Sequence, residues 1–418
     1  MRKLTMWLQL AMHSAWSRRV SMGLVAASIA LATTLVLAIH QVGADARSSF
    51  SKAVSGVDLI VGAKASPIEL LLNTVFQIGR GTAVLPEQTV ERLSAIDGVD
   101  WVVPVAMGDF VGRQPVVATT PAYFEHVRAA GQAISLAQGE LFSATTDVVL
   151  GAVAAQKLGL SVGSAVTFSH GTFSGLAKRH DHINFKVSGV LAPTGAPIDQ
   201  AVWVSLAGFQ AAHTGGSTNS FEGLMQQATQ GQGMQVNAWL LGLTSPAKVF
   251  AVRRTVEGID APALSAVMPG VALDELWQTL GIVEATLRAV AWLVAVGAGL
   301  ALAATLLMSL QTRKREMAVL RATGASSGGL MVMVFAEALV TFVLGAAAGI
   351  ALLHLCIAAG NEWLRTATGV VLSHSWISAQ TVSVVAGLLL IALLSALLPA
   401  WLSTRSSLGE ALNPRSIG

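Results

Sequence analysis

The side chains best suited to chemistry in this 418-residue chain are histidines. His180-Asp-His182 follows Lys178 and Arg179, and His170 lies upstream. In an extended strand, residues two apart share a face, so His180 and His182 would present both imidazoles together. With His170 as a third donor they could hold Zn²⁺ or another borderline cation. The basic pair before them works against tight cation binding, and a solvated histidine loop is the competing reading. A second chemical group is the polar run from Thr312 to Ser326, which carries Arg313, Lys314, Arg315, Glu316, Arg321 and Gly324. Such charges can pair with a protein partner, or simply set topology and meet lipid headgroups. Glu337 is a lone carboxylate inside an otherwise uncharged stretch, a functional candidate by default. It lies within reach of the basic run, so structural pairing competes with proton movement. No Ser/His/Asp, paired-carboxylate or HExxH arrangement supports an enzyme, and no G-x-x-x-x-G-K-[ST] phosphate loop is present. Cys356 is the only cysteine, which excludes an intrachain disulfide and a multi-cysteine metal site. A formal charge of +3 without long basic runs gives nucleic-acid binding no support.

The elements that must position these groups are dictated by lipid. The chain is 53% hydrophobic and 12% charged, where a soluble domain carries about 25% charge. Residues 20–39, 289–310, 330–353 and 382–402 are each long enough for a bilayer, which takes about 20 apolar residues. The first is longer than a signal-peptide core and lacks a convincing cleavage site, so it reads as a retained helix. Basic residues mark cytoplasmic ends: Arg2, Lys3, Arg18 and Arg19 before the first span, Arg313 to Arg321 between the second and third, Arg405 and Arg415 after the fourth. The expected organisation is an interfacial cytoplasmic helix at 1–19, a first span at 20–42 and an extracytoplasmic domain at 43–271. A stalk helix and second span follow at 272–310, then a cytoplasmic helix at 311–326 and a third span at 327–358. An external loop at 359–378, a fourth span at 379–403 and a cytoplasmic tail at 404–418 complete it. Gly345 and Gly349 make a small-xxx-small pattern that permits close helix approach.

The external segment alternates strand and helix signals. Residues 57–61, 99–105, 114–119, 235–243 and 264–268 read as strands, with Gly108 and Asp109 as the turn between the second and third. Pro86 is expected to open one helix and Ser245-Pro246 to cap another. The insertion at about 139–216 reads as a β-rich subdomain, and Gly215, Gly216 and residues 226–233 as a hinge or tip. The expected fold class is therefore an α-helical membrane protein with four transmembrane helices and a large α+β extracytoplasmic domain, a ferredoxin-like part with a β-rich inserted subdomain. Leu276, Leu280, Val283, Leu287 and Val290 form a seam at helical spacing. That seam can pair with a second copy of the chain or with its own first helix.

The run Thr312-Arg-Lys-Arg-Glu-Met-Ala-Val-Leu-Arg-Ala-Thr-Gly-Ala-Ser326 resembles the cytoplasmic loop of the FtsX/MacB/LolC superfamily of ABC permeases. Pro399-Ala-Trp-Leu-Ser-Thr-Arg405, Val149-Leu-Gly-Ala-Val-Ala-Ala-Gln-Lys-Leu-Gly and Phe185-Lys-Val-Ser-Gly-Val-Leu191 resemble the same family, as does the order of one span, large domain and three spans. The resemblance implies a permease of the mechanotransmission type in a bacterial inner membrane, with both termini cytoplasmic and the large domain periplasmic. It implies that ATP and Mg²⁺ belong to a separate ABC ATPase subunit, and that Arg313, Lys314, Arg315, Glu316, Arg321 and Gly324 form a coupling helix for it. It further implies a homodimer that exports or extracts a substrate, with a periplasmic partner or substrate-binding protein as a further expectation. A non-transporting regulator of an external partner such as a cell-wall hydrolase is the alternative. Ile60-Val-Gly-Ala-Lys-Ala-Ser-Pro67 and Gly189-Val-Leu-Ala-Pro-Thr-Gly-Ala-Pro-Ile-Asp199 are similar to a subgroup of these permeases linked to zinc-responsive loci.

Overall fold

The structure, a computed structural model, describes residues 19–53, 55–78, 85, 86, 89–129, 131–170, 178, 179, 183–214, 235–260, 262–323, 326–368, 372 and 378–405. The expected interfacial helix up to residue 17, the glycine-rich tip, His180, His182, Gly324, His374 and the tail beyond Arg405 lie outside the described residues. The chain divides into two compact units. Residues up to 44, 281–361 and 372 onward form one; 45–280 with 362–371 form the other.

Helix α1 (Arg19–Ala53) comes first. The second unit then begins with strand β1 (Leu59–Ala63) and helix α2 (Pro67–Thr74), whose Pro67 occupies the first turn, where no donor is lost. Strand β2 (Leu85–Pro86) pairs with Gln235 and Val236, and helix α3 (Thr89–Ser94) starts only afterwards. Pro86 thus ends a short strand instead of opening the helix, an arrangement proline tolerates at an edge. Strands β3 (Val99–Val111) and β4 (Gln114–Thr119) form an antiparallel hairpin. Gly108 and Asp109 are not its turn. They lie within β3, where the register shifts between Met107 and Phe110, and the chain reverses at Gly112 (φ +60°) and Arg113. Glycine and aspartate serve a bulge as well as a turn, so the sequence signal was ambiguous. Asn237 Oδ1 accepts from Met107 N at 2.6 Å and satisfies a donor at the irregularity.

The chain continues through α4 (Ala122–His126), β5 (Arg128–Ala129), β6 (Gln132–Ala133), β7 (Leu136–Gly139), β8 (Asp147–Leu150) and α5 (Ala152–Leu158). Short strands β9 (Ala165–Val166), β10 (Ser169–His170) and β11 (Lys178–Arg179) precede β12 (Phe185–Leu191), β13 (Val202–Ser205) and α6 (Leu206–Thr214). The unit closes with β14 (Gln235–Val236), β15 (Ala238–Leu243), α7 (Val249–Glu257) and β16 (Leu264–Val267). The main sheet runs β16-β1-β15-β3-β4-β13-β8-β12-β7. Its first four strands are antiparallel, in the order of a ferredoxin-like unit. The inserted strands join the same sheet through the parallel pair β4/β13.

Alternation explains which residues hold this sheet. Leu59, Val61, Trp239 and Leu241 share a core with Leu93 of α3 and with Val252 and Val256 of α7. Their neighbours Ile60, Ala238 and Leu240 face the other way, with Leu70, Leu71 and Trp203. The insertion has a third core, in which Phe168 and Phe185 stack at 4.1 Å. Each fully buried aliphatic side chain contributes about 1.5–3 kcal/mol over its exposed state.

The remaining helices are α8 (Pro269–Thr312), α9 (Lys314–Ala322), α10 (Ser327–Thr368) and α11 (Ala379–Arg405). Among the described residues, α1, α8, α10 and α11 are long and apolar enough to cross a membrane. Leu24, Leu300, Leu344, Leu355 and Leu394 are exposed on their outer faces, as lipid-facing side chains must be. Ile29, Ala32, Ala295, Gly299, Phe342 and Leu388 bring all four helices around a narrow apolar crevice.

Candidate functional site

Helix α9, between the second and third spanning helices, is amphipathic across its width. Met317 and Ala318 are buried, and Met317 packs with Leu330 and Met333 of α10, with Leu310 of α8 alongside. Glu316 and Val319 face outward, Val319 with 53% exposure, and Lys314 is exposed one turn before Met317 on the cleft side. Arg313 Nε lies 3.3 Å from Glu316 Oε2, and the arginine side chain is only 15% exposed. This pair ties the start of α9 to its first turn; with the glutamate side chain 68% exposed it contributes about 0–1 kcal/mol. Arg321 points elsewhere. Its Nη2 donates to Thr404 O at 2.6 Å and contacts Ser327 Oγ at 3.3 Å. It therefore caps the carbonyl end of α11, where a cation also complements the helix dipole. Beside α9, Leu307, Leu310, Gln311, Lys314, Met317, Leu402 and Ser403 line a cleft of about 190 Å³. Of the residues expected to form a coupling helix, Arg313, Lys314, Glu316 and Arg321 are placed here. Arg315 is described for its backbone alone, and Gly324 lies outside the described residues.

Glu337 is 5% exposed on α10, and its carbonyl accepts from Thr341 Oγ1 at 2.8 Å. One face of α10 meets α1 at the two glycines. A Cβ on Gly345 would fall 2.8 Å from Ala26 O, and one on Gly349 2.6 Å from Ala30 O. Thr34 Oγ1 of α1 donates to Gly349 O at 2.9 Å, a contact only close backbones allow.

Two matches with known protein families decide the chain's relationship. Residues 22–259 match the MacB-like periplasmic core domain, and residues 288–408 match the FtsX-like permease C-terminal domain. The chain belongs to the MacB/FtsX-like family of ABC transporter permeases. No curated protein matches it. Among solved structures, the periplasmic region of MacB from Actinobacillus actinomycetemcomitans is 13% identical with a TM-score of 0.33, over 55% of this chain and 94% of that one. The extracellular domain of the noncanonic ABC-type transporter YknZ from Gram-positive bacteria is 13% identical with a TM-score of 0.29, over 50% of this chain and 98% of that one. The permease is thus an inner-membrane component with a periplasmic domain, of a family whose ATPase is a separate subunit.

The histidines of this permease are placed unevenly. His170 ends β10, across from Asp109 of β3 and Lys178 of β11 in the register. Among the described residues, no group of three or more His, Cys, Asp or Glu side chains could hold a metal ion. Asp109 and His213, whose side chains come within 3.5 Å, form a pair that no local pattern marks. Asp109 carried the signature of a turn, and His213 stood as an isolated histidine; only the sheet brings them together.

Proposed function

We propose that this chain is a mechanotransmission permease whose α9 receives a separate ABC ATPase and whose α1 and α8 carry the resulting motion to the periplasmic domain. The observation that carries the reading is the two-sided character of α9. Its inner face is locked by Met317 and Ala318, while Glu316 and Val319 are presented outward and Lys314 is exposed at the edge of the cleft beside Met317. An exposed valine one turn from the Glu316 carboxylate suits a protein surface more than headgroups alone. Arg315 and Gly324 belong to the same proposed contact. Helix α8 supports the transmission step. Its 44 residues amount to roughly 66 Å at 1.5 Å per residue, against about 30 Å of hydrocarbon. Beyond the span, α1 and α8 are fastened together: Phe50 meets Trp277 edge to face at 5.6 Å, and Arg47 lies over the same indole at 5.4 Å. Movement of the spans would reach the periplasmic unit through these two helices, whereas the apolar lining of the bundle crevice offers no path for a hydrophilic substrate. Glu337 then serves the packing of α10, with Gly345 and Gly349 on the same helix closing on α1.

The topology follows the basic residues, with both termini and α9 cytoplasmic. The active form is a homodimer, since Leu280, Val283, Leu287 and Val290 of the seam remain exposed after α1 has packed. The decisive experiment is co-purification with the ATPase subunit. Lys314→Glu and Val319→Asp should each reduce ATPase recovery and stimulated hydrolysis while the permease stays inserted and folded. Full recovery with both variants would reject α9 as the contact.

A further inference from the structure

The cleft beside α9 is built from the ends of two spanning helices and the start of α9 itself. Leu307, Leu310 and Gln311 come from the last two turns of α8, Lys314 and Met317 from α9, and Leu402 and Ser403 from the last turn of α11. Both spanning helices end here, so the cleft lies where hydrocarbon gives way to headgroups. Trp401, 44% exposed next to Leu402, is an aromatic side chain of the kind that favours this level.

The lining is divided by polarity. Leu307, Leu310, Met317 and Leu402 form apolar walls, and the polar side chains are Gln311, Lys314 and Ser403. Ser403 Oγ donates to Ala400 O at 2.6 Å within its own helix. The Gln311 amide and the Lys314 ammonium belong to exposed residues and have no hydrogen-bond or ion-pair partner among the described residues. No acidic side chain is among those that line the cleft, and Glu316, the acid of α9, is engaged by Arg313 at 3.3 Å. Lys314 also opens α9, so the positive end of the helix dipole adds to its charge. The cleft thus pairs an unanswered cation and an amide donor with walls suited to hydrocarbon.

We propose that this cleft holds one anionic phospholipid, its phosphate accepting from Lys314 Nζ and Gln311 Nε2 and the start of an acyl chain lying along Leu307, Leu310 and Leu402. Basic pockets between spanning helices select anionic headgroups, and a zwitterionic lipid brings a cation of its own that Lys314 repels. The volume of about 190 Å³ takes a phosphoglycerol and the first methylenes of a chain. A helix from a protein partner, about 10–12 Å across with a 5.4 Å pitch, sweeps roughly 400–600 Å³ per turn and does not fit. At 100° per residue Glu316 and Val319 lie on the opposite side of α9 from Lys314, so lipid and ATPase take different faces. Lys314→Glu therefore acts on the cleft as well as on the ATPase contact, whereas Val319→Asp acts on the contact alone. The site depends on the membrane boundary only and stands whichever way the helices are oriented.

The test uses the full-length permease, delipidated in detergent and without the ATPase. Phosphatidylglycerol is the probe, phosphatidylcholine the zwitterionic control and glycerol phosphate the free headgroup. Native mass spectrometry reads the lipid retained, and the thermal shift on adding lipid gives the affinity. The wild type should retain one phosphatidylglycerol per chain in preference to phosphatidylcholine, and glycerol phosphate, lacking a chain, should not displace it. Lys314→Ala should weaken binding about 5-fold, the loss expected for one lysine at an anionic lipid. Lys314→Arg should retain it, and Leu402→Asn should weaken it by wetting the wall. Val319→Asp should bind as the wild type does. Without lipid, Lys314→Ala should melt with the wild type, so its loss is read on a folded protein. Equal retention of the two lipids by the wild type would overturn the proposal. So would undiminished binding by Lys314→Ala, or an equal loss in Val319→Asp. Displacement of the bound lipid by saturating ATPase subunit would assign the cleft to the protein partner and overturn it too. Failure of the ATPase contact leaves the lipid measurements untouched, because they are made on the permease alone.

Discussion

Arg321 and Thr404 join the end of α9 to the end of α11, the guanidinium donating to the carbonyl at 2.6 Å across 83 residues of sequence. The contact makes Arg321 a positioning residue, distinct from the outward charges of α9. Arg321→Ala should lower the stability of the purified permease by about 1.5–3 kcal/mol, the range for a hydrogen bond to a charged group. Arg321→Lys should recover only part of this, because the fork is lost. Thermal melts should show both effects, with Lys314→Ala unchanged. Hydrogen exchange around Thr404 should rise in Arg321→Ala; an unaltered exchange pattern would contradict the capping role.

Gly349 tests the contact between α1 and α10. A Cβ there would fall 2.6 Å from Ala30 O and 2.8 Å from Thr33 Cβ, both parts of the facing helix. Gly349→Ala should therefore cost about 1–3 kcal/mol through overpacking. Gly297 has nothing within 4 Å of an added Cβ. Gly297→Ala should be neutral or gain up to about 1 kcal/mol of helix propensity. Equal thermal stability of the two variants would show that the close approach is not needed.

These cases separate what a sequence displays from what it conceals. The spans were legible because missing charge is a local property, and Leu59, Ile60 and Val61 were legible as a strand covered on both faces. Gly345 and Gly349 advertised a close approach, though not that α1 would be the partner. Arg321 resembled every other charge in a basic run, and its role depends on a carbonyl of another helix. Asp109 carries a turn's signature inside a strand because a bulge and a turn favour the same residues, and nothing local distinguishes them. The partner of Asp109, His213, lies at the far end of the insertion, so the pair exists only once β10 and α6 close over β3.

Asp199 organises the loop between β12 and β13. It is 2% exposed and accepts from Thr194 N, from Thr194 Oγ1 at 2.9 Å and from Gly195 N at 2.8 Å. Asp199→Ala leaves these donors unpaired and should cost about 3 kcal/mol. Asp199→Asn keeps one acceptor and should cost less. Trp203 is a built-in reporter, because its Nε1 donates to Ile198 O at 3.1 Å next to the loop. Its fluorescence should shift in Asp199→Ala before global unfolding, and an unchanged spectrum and melt would count against the assignment.

Asp147 gives a pH dependence with a definite sign. Burial acts to raise its pKa, but hydrogen bonds from Ala144 N and from Ser143 N and Oγ, aided by the Lys186 charge, outweigh this and hold it below the usual value. A depressed folded pKa contributes stability above the unfolded value, near 3.9, and that contribution disappears as pH falls through the folded pKa. Asp147→Asn should lower stability at neutral pH and reduce the loss seen on acidification below about pH 4. Acid titrations of the full chain, followed by circular dichroism, should converge for the two proteins at low pH; parallel curves would remove Asp147 from the acid response.

The exposed seam of α8 offers a direct test of the dimer. Trp277 is committed to Phe50 and Arg47 of α1, and Leu276 packs on the core of the second unit. Val283 and Leu287 are 57% and 50% exposed, and with Leu280 and Val290 they continue the spacing of a two-helix seam. Water or lipid alone gives no reason for that spacing to persist past the membrane edge, whereas a second α8 would cover it. In a Cys356→Ala background, Val283→Cys should form an oxidant-dependent disulfide between copies in native membranes. Trp277→Cys, on the face turned toward α1, should stay monomeric under the same conditions. Cross-linking of Trp277→Cys in place of Val283→Cys would mean that copies meet through a different face. Failure of both would remove the seam from the dimer reading, while the α9 contact with the ATPase would still stand on its own test.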